Sequence, residues 1–136
     1  MTTMLKPPVD EAISEIKARF GAEKVQHLED GDGGAYVVVD GLDLGVAYTD
    51  STRVSWMGFR IGFQYPMADI YPHFVRSDLA RVDGRPFGSG VSGPTRFVGY
   101  ERDALQLSRR SNGRDAGIET ALIKMLKVLD WIRRGP

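Results

Sequence analysis

Apolar residues in this chain return at two different periods. In the first stretch Ile13, Ile16 and Phe20 fall at i, i+3 and i+7, which places them on one face of a helix. Asp10 suits an N-cap, Glu11 and Glu15 suit the positive end, and Gly21 is a natural stop, so the pattern predicts a helix over 8–20. A second helical stripe begins at Asp115, with Ile118, Ala121, Leu122, Met125, Leu129 and Ile132 at three- and four-residue steps. Asp115 can cap it, Glu119 lies near its start, and Arg133 and Arg134 suit its negative end. So wide a stripe is expected to face a sheet as core.

Between these helices the period drops to two. Val25 to Leu28 reads as a short strand and Ala35 to Val39 as a β-branched one. Asp40-Gly41 then predicts a two-residue hairpin turn into a strand carrying Leu42, Leu44, Val46 and Tyr48. After a turn at 49–52, residues 53–64 form the longest strand candidate, with Met57, Phe59, Ile61 and Phe63 on one face. These features predict an α+β domain: an N-terminal helix, a four-stranded antiparallel meander and a C-terminal helix packed on the sheet. The segment 65–74 is rich in Pro and Tyr and becomes extended at His73 to Val75. Residues 77–100 hold five glycines and two prolines and read as a long irregular loop, a kind of segment that is usually functional or disordered.

Composition narrows the chemistry. A chain of 136 residues with 42% hydrophobic and 26% charged residues suits one domain, 1–136, with its own core. Lys+Arg and Asp+Glu both number 18, which argues against a role resting on non-specific nucleic-acid or anionic-membrane binding. With no cysteine there is no disulfide, no thiolate metal site and no thiol nucleophile, and two histidines leave little for a metal or a His-based triad. No cofactor is expected. No apolar run reaches the roughly 18 residues of a membrane span. Met1 to Pro8 has no apolar h-region, so a cytoplasmic protein without a secretory leader is expected.

Several local patterns carry possible chemistry. Gly88-Ser89-Gly90-Val91-Ser92-Gly93 matches G-x-G-x-x-G, but Pro86-Phe87 before it and Pro94 after it leave no helix to receive a pyrophosphate, so a surface loop is the better reading. Asp30-Gly31-Asp32-Gly33-Gly34 lacks the further ligands of a calcium loop and reads as a turn. His73, with Asp69 and Asp78 near in sequence, reads as a packed side chain before it reads as a base. Ser108, Arg109 and Arg110 read first as a solvated basic turn and only second as a site that holds an anion.

The order of elements, with Phe63-Gln64-Tyr65-Pro66, then Tyr71-Pro72-His73-Phe74-Val75, then Ala104-Leu105-Gln106-Leu107-Ser108 ahead of the last helix, resembles the ubiquitin-conjugating (UBC-like) fold, in particular its bacterial branch. That resemblance implies a pathway with a ubiquitin-like modifier and an activating enzyme as partners, and acyl transfer through a cysteine thioester. The nucleophile's place falls on Ala104, whose methyl cannot form a thioester, and the only asparagine, Asn112, lies downstream of that place. The resemblance therefore implies either an enzyme whose active form carries Cys at 104, engineered to Ala here, or a natural non-catalytic adaptor that binds a modifier or partner, or likeness of fold alone. It places Ser108, Arg109 and Arg110 at the cleft that meets the modifier's tail, the helix over 10–20 against the activating enzyme, and position 104 on an exposed ledge beside the closing helix. A hydrolase using Ser108 and His73 is a further, weaker alternative.

Overall fold

Two prolines open the first helix of the computed structural model, which describes residues 4–136. The absence of a leader was read partly from Met1 to Thr3, which lie outside the described residues. Helix α1 spans Pro7–Phe20, with prolines at the positions where a missing N–H costs nothing. Lys6, not Asp10, is its N-cap; Asp10 lies in the first turn. Gly21, at φ +101°, ends the helix as expected. Val9, Ala12, Ile13 and Ile16 form its buried face.

Six strands follow: β1 Val25–Glu29, β2 Ala35–Asp43, β3 Val54–Ile61, β4 His73–Arg76, β5 Val91–Phe97 and β6 Arg102–Leu107. They form one sheet in the order β1-β2-β3-β4-β6-β5, and every neighbouring pair is antiparallel. Helix α2, Ala121–Arg133, closes the chain. The α+β class and the antiparallel sheet match the sequence reading, but the sheet is larger than a four-stranded meander and its strands are divided differently.

Asp40-Gly41 does not turn the chain. It is a bulge inside β2: Val39 pairs with Met57 and Leu42 with Ser55, so β2 carries one residue more than β3 between them. Gly41, at φ +70°, takes the left-handed conformation at the bulge. The bulge absorbs the extra residue, so Val39, Leu42 and Leu44 all reach the core. The chain reverses later, between Leu44 and Arg53, where Leu44 N–H donates to the Arg53 carbonyl.

The stretch 77–100 is also corrected. It contains β5, a mostly exposed edge strand, and Ser92 and Gly93 of the glycine pattern lie within that strand with no helix behind them. The Asp30 segment is a turn, as read: the Asp30 Oδ1 accepts from the N–H groups of Asp32 and Gly34. The last helix starts later than its stripe suggested. Thr120 caps it, its side chain accepting from Ile123 N at 3.2 Å, while Ile118 is left 67% exposed.

Strand alternation separates two faces. Val37, Val39, Met57, Phe59, Ile61, Val75, Leu105 and Leu107 point to α1 and α2 and form the main core with them. On the opposite face Val38, Phe97 and Ala104 form a smaller cluster, with Tyr36, Trp56, Phe74 and Tyr100 packed against it. The Phe97 ring lies over Gly58 and stacks on Phe74 at 5.0 Å and on Trp56 and Tyr100 at 5.9 Å. The tip of the β5–β6 hairpin thus folds across this face, with Gly99 against Tyr36.

Candidate functional site

Ala104 lies in β6, paired on one side with Arg76 of β4 and on the other with Thr95 of β5. It is fully buried and belongs to the Phe97 cluster, on the face away from α2. The expected exposed ledge beside the closing helix is therefore absent. A sulfur atom at this position would be sealed under aromatic rings and out of reach of a macromolecular acyl donor.

The residues just after β6 behave differently. Ser108 N–H donates to the Gly90 carbonyl at 2.7 Å, which ends the strand and starts a strap, 108–120, running to α2. Arg109 and Arg110 are exposed. The Arg109 guanidinium lies 4.8 Å over the Trp131 ring, and that of Arg110 lies 4.4 Å over the Tyr71 ring. Neither has a carboxylate within ion-pair distance among the described residues, whereas Arg114 and Arg134 do. Hydrogen bonds from Ser108 and then Arg110 hold the Tyr71 hydroxyl below its ordinary pKa.

Beneath these arginines lies a buried polar network. Lys124, 3% exposed, donates from Nζ to Asp69 Oδ2 at 3.0 Å and to Ser111 Oγ at 2.8 Å. Ser111 donates from Oγ to Glu119 Oε1 at 3.0 Å and from its backbone N to Asp69 Oδ2 at 2.9 Å. Lys127 Nζ reaches Glu119 Oε1 at 2.8 Å. Arg114 Nε faces Glu119 Oε2 at 3.1 Å without an aligned hydrogen, and its other nitrogens donate to the carbonyls of Pro66 and Met67. Burial pushes the Asp69 carboxyl up, but the Ser111 N–H and the Lys124 ammonium outweigh it and leave the group below the usual range. Glu119 follows the same balance: burial raises it, and Lys127 and Ser111 bring it below its ordinary value.

Strap and helix enclose a cleft of about 420 Å³. Its cationic lining is Arg109, Arg110, Arg114, Lys124, Lys127 and Arg134, against three acids, Asp115, Glu119 and Asp130. Ile118, Val128 and Trp131 supply its apolar wall. The chain as a whole has no net charge, so positive charge is concentrated here. Of the predicted anion-binding residues, Arg109 and Arg110 line this cleft, while Ser108 faces Tyr71 and Gln106 instead.

His73 is not part of the site. It is fully buried against Phe59, 5.0 Å between ring centres, and neither nitrogen has a hydrogen-bond partner. Burial lowers its pKa to about 3, Lys124 adds to the effect and Asp69 opposes it. Asp78 is bound to Arg76 instead, so the Ser108–His73 hydrolase arrangement has no oriented acid and no Ser–His contact. Among the described residues no His, Cys, Asp or Glu cluster converges to hold a metal, and no helix is long and apolar enough to cross a membrane.

Asp69, Glu119, Lys124 and Trp131 were not singled out as site residues from the sequence. One signal was present: Lys124 falls three residues after Ala121 and four before Val128, inside the apolar stripe. A charge on a core-facing stripe requires a buried partner. Comparison with protein-family models, curated proteins and solved structures finds no match for this chain.

Proposed function

We propose that the chain is a non-catalytic, UBC-like adaptor that binds a ubiquitin-like modifier or another protein of such a pathway through the cleft beside α2. The observation that carries this reading is the pair of exposed arginines, Arg109 and Arg110, held on Trp131 and Tyr71 at the mouth of a cleft in which cations outnumber carboxylates. The enzyme reading needs position 104 at the surface, and the burial of Ala104 under the Phe97 cluster removes its support. The adaptor reading needs no nucleophile at that position.

Two measurements test it. The Ala104→Cys variant, incubated with a cognate modifier, its activating enzyme and ATP, is expected to form no thiol-sensitive adduct; an adduct would restore the enzyme reading. Calorimetric titration of the unmodified chain with that modifier or activating enzyme is expected to show binding that Arg109→Ala with Arg110→Ala weakens. No heat of binding with any such partner removes the proposal.

A further inference from the structure

We infer that the cleft beside α2 accepts an extended acidic segment of a partner protein, with two carboxylates meeting Arg109 and Arg110 and an apolar side chain between them meeting Ile118 and Trp131. This rests on the adaptor reading and names the chemistry of the segment that the adaptor holds.

The state of each cation leads to this ligand. Lys124 is committed to Asp69 and Ser111, Arg114 and Lys127 to Glu119, and Arg134 to Asp130. Each of those four already faces a carboxylate of this chain. Arg109 and Arg110 remain, and they do not converge: one guanidinium lies on Trp131 of α2 and the other on Tyr71, ahead of β4. A compact phosphate needs donors aimed at one point. Two guanidiniums pinned on separate rings fit carboxylates at separate places along a chain, each offering a planar, two-pronged acceptor. The rings also keep the arginine side chains ordered, so little rotamer freedom is lost when a carboxylate docks.

The cleft wall supplies the second half of the match. Ile118 is 67% exposed at the rim, with the partly buried Trp131 also lining the cleft, so an all-polar ligand would leave this apolar surface in water. An extended peptide points every second side chain to one face, so acids at i and i+4 flank an apolar residue at i+2 on that face. The arginines of the opposite sheet face make the contrast. Arg60, Arg76 and Arg96 each already hold an aspartate of this chain, at 2.9, 2.5 and 3.0 Å, so that face offers an acidic partner no comparable free pair.

The test uses an acetylated, amidated peptide with glutamates two residues before and two residues after a leucine, its glutamine counterpart, and inorganic phosphate. Binding is read by calorimetry and by tryptophan emission, since Arg109 lies on Trp131. The acidic peptide should bind, the glutamine peptide should bind at least roughly tenfold more weakly, and affinity should fall as salt rises past about 0.15 M. Arg109→Glu with Arg110→Glu should abolish binding and keep a cooperative melting curve only slightly shifted, because each arginine contributes a ring contact but no ion pair to the fold. Equal affinity for the two peptides, unchanged binding in the double variant, or saturable phosphate binding that displaces the peptide overturns the inference. If the whole modifier binds through these arginines but the peptide does not, the acidic-segment claim falls and the adaptor reading stands. If neither binds, both fall.

Discussion

A buried side chain with no hydrogen-bond partner carries its own pH signature, and His73 is that residue here. In the folded chain it stays neutral until about pH 3, whereas its unfolded imidazole takes a proton near pH 6.5. Below that value the unfolded state binds the extra proton, so stability falls as pH drops from 6.5 toward 3. Between about pH 6.5 and 5 this one group should remove roughly 2 kcal/mol. Urea unfolding of the parent chain and of His73→Leu at the two pH values checks it: the variant should lose this part of the slope, and equal slopes would refute the assignment. The same residue marks a limit of reading chemistry from sequence. Its place in a Pro-His-Phe run suggested packing, correctly, but its orphaned nitrogens follow from Phe59 and Leu107 on neighbouring strands, which local sequence does not show. Ala104 misled for the same reason. Its flanking residues resemble a family pattern, while its burial is decided by Phe97, reached through the register of β5 on β6.

At the scale of elements, a dipeptide can mean two things. Asp40-Gly41 suits a hairpin turn and equally a bulge, and the choice depends on the phase of the apolar residues beyond it. The bulge keeps Leu42 and Leu44 on the core side with Val39. Deleting Gly41 removes the extra residue and leaves Val39, Leu42 and Leu44 at two-residue steps of a regular strand, so cooperative unfolding should persist, while Gly41→Ala, forced to φ +70°, should cost about 1 kcal/mol. Chemical denaturation followed by circular dichroism checks both, and a deletion variant that loses its cooperative transition would refute this account of the bulge. The strand β5 escaped the sequence reading because its residues are exposed up to Phe97 and include Pro94, so it needs no apolar alternation. By contrast α1 and the long central strand were legible, since each buries one face and its period must show.

For the whole molecule, the polar network beneath the cleft joins segments far apart in sequence. Asp69 precedes β4, Ser111 and Glu119 lie on the strap, and Lys124 is on α2. Arg114 ties the strap back to the carbonyls of Pro66 and Met67, and the Tyr65 hydroxyl accepts from Ala121 N at the start of the helix. The network therefore sets the position of α2 against the sheet and, with it, the Trp131 ring under Arg109. Cutting it leaves a charge without its partner in a part-buried place, which costs about 3–5 kcal/mol for a fully buried pair and less where water reaches Asp69. Lys124→Met should thus lower stability by roughly 2–4 kcal/mol, whereas Arg109→Ala should change it by about 0.5 kcal/mol or less. Paired urea titrations decide this, and a neutral Lys124→Met would mean that packing alone holds the helix. The division matters for the cleft: residues that shape it and residues that offer it to a partner are different sets, so a variant can lose binding while keeping its fold.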